Sequence, residues 1–197
     1  MQNPAVSNIT DRPIPSFFDV ADLRLQVNLF GDTTQDNYLQ MLCAVGQEQI
    51  EDYIGQYLET TSTECYYQRF DTSGMRLPQP NVTNVVVQYW DVNDVLQTLS
   101  PSTYFVDTTV IPVMVKPVLN GTFPAQTSST RTNPVKISYD SILYGAQNDM
   151  DIERINHAFK LIATHWYNNR SDTDVANKKE IPYGFLRLLN KYRTATL

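Results

Sequence analysis

Apolar positions recur at three- and four-residue spacing in two long stretches of the chain, and between these stretches the period falls to two. In Asp149–Arg170, the residues Ile155, Ala158, Phe159, Ile162, Ala163, Trp166 and Tyr167 form one helical stripe. Asp149 or Asp151 is placed to cap this helix, and Asn168, Asn169 and Ser171 to end it. The second stripe, within Thr34–Leu58, comprises Leu39, Leu42, Cys43, Gly46, Ile50, Tyr53, Ile54 and Tyr57. Its start is signalled by Thr33 with Asp36 or by Asp32 with Gln35. Such a helix spans roughly 37 Å at 1.5 Å per residue. Gly46 on its packed face costs about 1 kcal/mol of helix propensity, which close approach of another helix can offset. The two ridges are therefore expected to pack on each other, with Glu48, Glu51, Asp52 and Glu59 mostly outward.

Two shorter helices are predicted. One covers Asp19–Val27 with Val20, Leu23 and Val27 inward, and Gly31-Asp32 turns out of it. The other opens at Ile181-Pro182 and offers Phe185, Leu186, Leu188, Leu189 and Tyr192 for packing. A polar loop, Asp172–Glu180, precedes it. Residues 1–18 hold Pro4, Pro13 and Pro15 without periodicity and read as an arm, although Phe17 and Phe18 are too apolar to be left loose.

From Thr63 the alternation is that of strands. Cys65, Tyr67 and Arg69 oppose Tyr66, Gln68 and Phe70 before a turn at Ser73-Gly74. Leu77-Pro78-Gln79-Pro80 is extended but unsuited to a sheet centre. In Val82–Trp90, Val85, Val87 and Tyr89 line one face, and Val86, Gln88 and Trp90 the other. Asp91–Asp94 then turns into Val95–Leu99. Tyr104–Asp107 and Ile111–Val118 follow, the latter assigned to an edge or strand-end position by Pro112 and Pro117. Leu119–Asn133 reads as a long exposed loop. Val135, Ile137 and Tyr139 alternate with Lys136, Ser138 and Asp140 in a last strand. The expected architecture is α+β: a helical bundle core of two long and two short helices with an antiparallel β-strand insertion. One domain covers 19–193, its strand-rich insertion covers 63–140, and 194–197 form a tail.

Composition changes this picture little. An apolar fraction of 42% over 197 residues suffices for a good-sized core without disulfides or metal. Cys43 and Cys65 have no metal or redox spacing, and a reducing compartment suits them. No apolar run reaches the roughly 20 residues of a membrane span, so no membrane association is expected. The net charge of −6 speaks against general nucleic-acid binding. It is unevenly spread: residues 1–71 carry eleven acids against three bases, and residues 151–197 five against eight, so the chain ends basic. Lys178, Lys179, Arg187, Lys191 and Arg193 could meet phosphate, but without interleaved aromatic residues any such contact would be backbone-directed and salt-sensitive.

Candidate chemistry is sparse. His157 and His165 lie eight positions apart, about 80° round a helix, and cannot share a tight metal site. Glu153 is followed at the di-metal spacing by Asn156 rather than histidine. No nucleophile elbow, Walker loop or dinucleotide fingerprint occurs. No enzyme activity, cofactor or metal is expected; an undiagnosed hydrolase would require two polar side chains converging in a pocket. Tyr66, Tyr67, Tyr89, Trp90 and Tyr104 suit either core or interface.

Several segments together resemble phage head-tail connector, or head-completion adaptor, proteins across most of residues 19–193. These are EDYIGQYLE at the end of the first long helix, RLPQPNVTNVVVQYWDVND with LQTLSPSTYFVD, IERINHAFKLIATHWYNNR, and the closing IPYGFLRLLNKYR. The resemblance implies a noncatalytic adaptor in the virion, at the head-tail interface, made in the host cytoplasm during assembly. It would form a ring with adjacent copies of itself, commonly twelve, on the portal protein ring. It would offer a second surface to a tail or neck terminator or completion protein and continue the channel for transient DNA passage without sequence-specific binding. His165, Trp166, Tyr167, Asn169 and Arg170 match the family's His-Trp-Tyr-x-Asn-Arg run and are candidates for holding the helix end and the following loop. Tyr53, Trp90 and Pro182 are further structural or interface candidates. The arm and the Leu119–Asn133 loop depart from shorter members. The charge partition suggests that the acidic Glu48–Glu59 side lies nearer the channel than the basic tail. A small noncatalytic protein-binding or regulatory module is the alternative reading.

Overall fold

The computed structural model describes residues 1–143, 149–170 and 183–194. Among them are four α-helices and eight β-strands, and the chain divides into two compact units. A sheet unit comprises Met1–Arg12 and Thr60–Ile142; a helical unit comprises Pro13–Glu59 and Leu143–Leu197.

In the sheet unit, β1 (Val6–Asp11), β2 (Thr61–Tyr67), β4 (Val82–Trp90), β5 (Leu96–Thr98) and β8 (Val135–Ser141) form a five-stranded sheet in the order β1-β2-β8-β4-β5. The strands β3 (Met75–Leu77), β6 (Tyr104–Asp107) and β7 (Val113–Pro117) form a three-stranded sheet in the order β3-β7-β6. Every named strand pair is antiparallel. The period of two places Thr61, Thr63, Cys65 and Tyr67 of β2, and Val135, Ile137 and Tyr139 of β8, on the buried face. Cys65, Tyr67, Val135, Ile137 and Tyr139 share an apolar cluster with Met75, Leu77, Tyr104, Val113 and Val115 of the smaller sheet. A register shift between Thr83 and Val86, with Asn84 at φ 53°, lets both Val82 and Val87 reach that cluster despite their opposite parity. The Val85 carbonyl at this bulge accepts a 2.8 Å hydrogen bond from the Tyr104 hydroxyl.

Two expectations change here and a third is narrowed. Of the edge and strand-end positions that Pro112 and Pro117 allowed, the strand-end one holds, and β7 itself is the centre of its sheet. Pro112 precedes the strand and Pro117 is its last residue, so neither lacking N–H interrupts the ladder. Within the expected arm, residues 6–11 pair with β2 as an edge strand, exposed on both faces, which explains the lack of periodicity in their sequence. The Leu119–Asn133 loop is also less open than its composition suggests: Phe123 and Ser128 are buried.

The helical unit contains α1 (Val20–Gln26), α2 (Asp36–Ile54), α3 (Asp149–Asn168) and α4 (Tyr183–Leu189). Their stripes build a second core from Leu23, Leu39, Leu42, Cys43, Ile50, Ile54, Ile155, Phe159, Ile162, Phe185 and Leu189, among others. Gly46 marks a close approach of α2 to α3. A Cβ there would lie 2.6 Å from Phe159 Cε2 and 3.8 Å from Trp166 Cζ3. Phe18 covers the Phe159 ring in a stack with centroids 3.9 Å apart, so the ring is held between that stack and Gly46. Gly55, at φ 70°, ends α2 in a left-handed cap four residues before Glu59, earlier than the continuous stripe to Tyr57 implied. Asp36 forms no capping box; its carboxylate takes two hydrogen bonds from Arg24, tying α1 to α2. Asp151 is not a helix cap but a buried acceptor, described below.

The expected architecture, a helical bundle core with a strand insertion, is therefore overturned. Two antiparallel sheets enclose one apolar cluster and the helices enclose another. A strand insertion on a helical bundle implies one core, and the strands instead have a core of their own. Their inner faces are apolar enough to bury one another, which is what two facing sheets require.

Candidate functional site

The His-Trp-Tyr-x-Asn-Arg run falls at the end of α3, beside the beginning of α2. The Tyr167 hydroxyl donates to Gln35 Oε1 at 3.1 Å, and Arg170 Nη2 donates to the same oxygen. The Arg170 guanidinium lies 4.7 Å from the Tyr38 ring centroid and 4.6 Å from that of Tyr167, a planar cation between two aromatic faces. Asn169 turns back on its own helix, its Nδ2 and backbone N–H both donating to the His165 carbonyl, at 2.7 and 3.0 Å. Trp166 is half-buried against the helical core near Gly46. His165 contacts only Asn169 among the polar partners described, with its Nδ1 at 3.5 Å from the amide. The run thus clamps two helix ends together; of its partners, Gln35 is marked in the sequence only as a member of a helix-start pair, and Tyr38 carries no signal there.

At the other end of α2 lies a polar network that sequence reasoning missed. Gln47 is buried, and its Nε2 donates to Glu51 Oε1 at 3.1 Å and to Glu59 Oε2 at 2.8 Å. Its Oε1 accepts from the Phe17 N–H at 3.1 Å. Ser16 donates to Glu59 from both its hydroxyl and its backbone N–H, and the Leu58 N–H donates to Glu51. Glu51 is therefore an interior acceptor, not the outward residue its charge suggested. The Gln47–Glu51 spacing of four residues was the available clue.

A second buried carboxylate organises the start of α3. Asp151 Oδ1 accepts from Tyr192 Oη and Lys191 Nζ, each at 2.6 Å. Burial first, and then this carboxylate, push the Tyr192 phenol up to about 12. Tyr53 donates to Asn190 Oδ1, and the Arg193 guanidinium sits 5.5 Å from its ring. These contacts hold the segment following α4 against the end of α2, where Thr194 N–H also donates to the Ile54 carbonyl.

Trp90 lies at the end of β4, beside the hairpin. Its carbonyl accepts from the Ser128 N–H at 2.9 Å, and its ring carries the Arg131 guanidinium 4.4 Å from the centroid. Arg131 donates to both carboxylate oxygens of Asp94, at 2.7 and 3.1 Å. With the Ser128 hydroxyl adding its own bond, this guanidinium holds the Asp94 carboxyl below its ordinary value. The long loop is thus latched to the hairpin tip.

These clusters position and clamp helix ends and loops. Among the described residues no group of histidine, cysteine and carboxylate side chains could hold a metal ion. Both cysteines are free and buried, and burial raises the Cys43 thiol to about 11. No described helix is long and apolar enough to cross a membrane. Pro182, Lys178 and Lys179 lie outside the described residues.

No family model matches the sequence, and no curated protein does. Solved structures with a similar fold do exist. A chain from the neck of an empty gene transfer agent (GTA) particle, computed with C6 symmetry, aligns at a TM-score of 0.71 with 17% identity, covering 98% of this chain and 97% of that one. A chain from the virion of the native GTA particle gives 0.69 and 16%, covering 97% and 96%. One from the neck of the native particle, computed with C12 symmetry, gives 0.67 and 17%, covering 98% and 97%. At such identities the likeness is one of fold, and it extends over nearly the full length of both partners.

Proposed function

We propose that this protein is a noncatalytic structural adaptor in the neck of a phage-like particle. It forms a ring of identical copies, twelve in number, on the portal ring, presents a second surface to a tail or neck completion protein, and continues the DNA channel without reading sequence. The observation that carries this reading is the full-length fold likeness to chains of GTA necks, one of them computed with C12 symmetry. The clamps described above suit such a role, because a subunit that transmits load between head and tail needs its helix ends and loops tied by polar contacts rather than left open. In a closed ring each subunit presents two different, mutually complementary surfaces.

Imaging of the chain mixed with its cognate portal protein tests the proposal. The expected result is a ring of twelve copies seated on the portal. A chain that remains unbound in the presence of intact portal rings overturns it.

A further inference from the structure

The outer side of α2 is divided between apolar and acidic residues. Met41, Val45, Glu48 and Asp52 follow one another at spacings of four, three and four. At about 100° per residue they lie within roughly 60° of each other, opposite the buried Leu39, Gly46 and Ile50. Met41 and Val45 are 49% and 44% exposed. Glu48 and Asp52 are exposed as well, and neither forms an ion pair among the described residues. On α3 the same spacing recurs in Met150, Arg154, His157 and the half-buried Leu161. Met150 is 70% exposed; Arg154 and His157 are exposed, with Glu153 the acidic neighbour on that side. One stripe is apolar and acidic; the other is apolar with one fixed positive charge, Arg154, which also hydrogen-bonds Tyr192, and both extend about 16 Å.

We infer that these stripes are the two complementary faces through which adjacent copies of this chain meet, the α2 stripe of one copy docking on the α3 stripe of the next. The inference rests on the ring proposed above and names its interface. Within one copy α2 and α3 run antiparallel, since Gln35 meets Arg170 and Gly46 meets Phe159. Neighbours in a twelvefold ring differ by a rotation of only about 30°. The α2 of one copy therefore also meets the α3 of the next in antiparallel fashion. In that alignment Met41 and Val45 face Leu161 and His157, and Glu48 faces Arg154. Lining a channel would require only the acids and would leave Met41 and Val45 in water; a contact between copies uses Met41 and Val45 together with Glu48. For Glu48 this replaces the channel-facing role suggested by charge alone.

Two charge-reversed full-length chains test the pairing, with circular dichroism confirming that each folds. One carries Glu48→Lys, the other Arg154→Glu. Association is followed by sedimentation at low salt up to millimolar concentration, with and without portal rings. The wild type is expected to assemble, each variant alone to assemble at least about tenfold more weakly, and an equal mixture of the two to recover, because reversed faces alternate around an even-numbered ring. Val45→Asp, at an exposed site outside the core, is expected to weaken assembly without mixing rescue. Should both variants assemble alone as well as the wild type, or should the mixture fail to recover, the interface is wrong and the ring stands. A wild-type chain that neither self-associates nor occupies portal rings overturns the ring itself.

Discussion

The sheet unit and the helical unit bury their side chains in opposite styles. In the sheet unit the interior is mainly apolar, and polar residues on the other face of the five-stranded sheet pair across strands: Lys136 with Glu64 at 3.0 Å, Ser62 with Asp140 at 2.6 Å, Gln88 with Thr98 at 3.1 Å. Apolar residues left exposed there lie largely on the edge strands β1, β5 and β6 and in loops. The helical unit instead buries Gln47, Glu51 and Asp151 while leaving Met41, Val45 and Met150 in water. A buried carboxylate is tolerated only where several donors converge on it, which makes that interior specific. An exposed apolar stripe flanked by charge is the opposite: in the interface proposed above, a second copy covers it.

The largest expected effect lies in the helical core. Phe159→Ala removes a ring held between Phe18 and Gly46 and should cost about 4 kcal/mol in denaturant unfolding, with lost hydrogen-exchange protection in α2 and α3. Ile137→Ala, at the centre of β8, should cost about 3 kcal/mol and appear in the amides of β2 and β4. If either loss registers outside its own unit's amides, the division into two cores is wrong. Gly46→Ala comes next. Ala gains about 1 kcal/mol of helix propensity, yet its Cβ meets a ring that the Phe18 stack keeps from retreating, so a net destabilisation of about 1–2 kcal/mol is expected. A stabilised variant would show that the ring yields.

Smaller effects belong to the exposed latch. Arg131→Ala should change Trp90 fluorescence and speed exchange at Ser128, with a stability change below that of Gly46→Ala. The same contact has a pH signature. The Asp94 carboxyl is held below its ordinary 3.8 by Arg131, so its contribution is complete above that value and is lost as the pH falls through the lowered one. Acid titration of Trp90 fluorescence should thus show a step below pH 3.8 that disappears in Arg131→Ala.

Of the candidate site, part was legible from the chain alone. The helical period placed Trp166 and Tyr167 on α3 close to where it ends, and the alternation from Val85 to Tyr89 predicted which residues share a face of β4. The partners of these residues were not legible. Gln35, which accepts from both Tyr167 and Arg170, lies more than a hundred positions away and has no periodicity to mark it. Arg131 looked like one more polar residue in a loop until Trp90 and Asp94 were beside it.

What the sequence settled by itself was local: helix against strand, the hairpin at Asp91–Asp94, which residues share a face, and the need for something to approach Gly46. Those follow from backbone geometry repeating every 3.6 or every two residues, so neighbours in the chain suffice to specify them. The tertiary structure alone decided that there are two cores, that β7 is central, that residues 6–11 join a sheet, and that Glu51 and Asp151 turn inward. Each of these depends on which distant face supplies the missing donor or the missing apolar surface, and a one-dimensional pattern of apolar and polar positions does not record which faces meet.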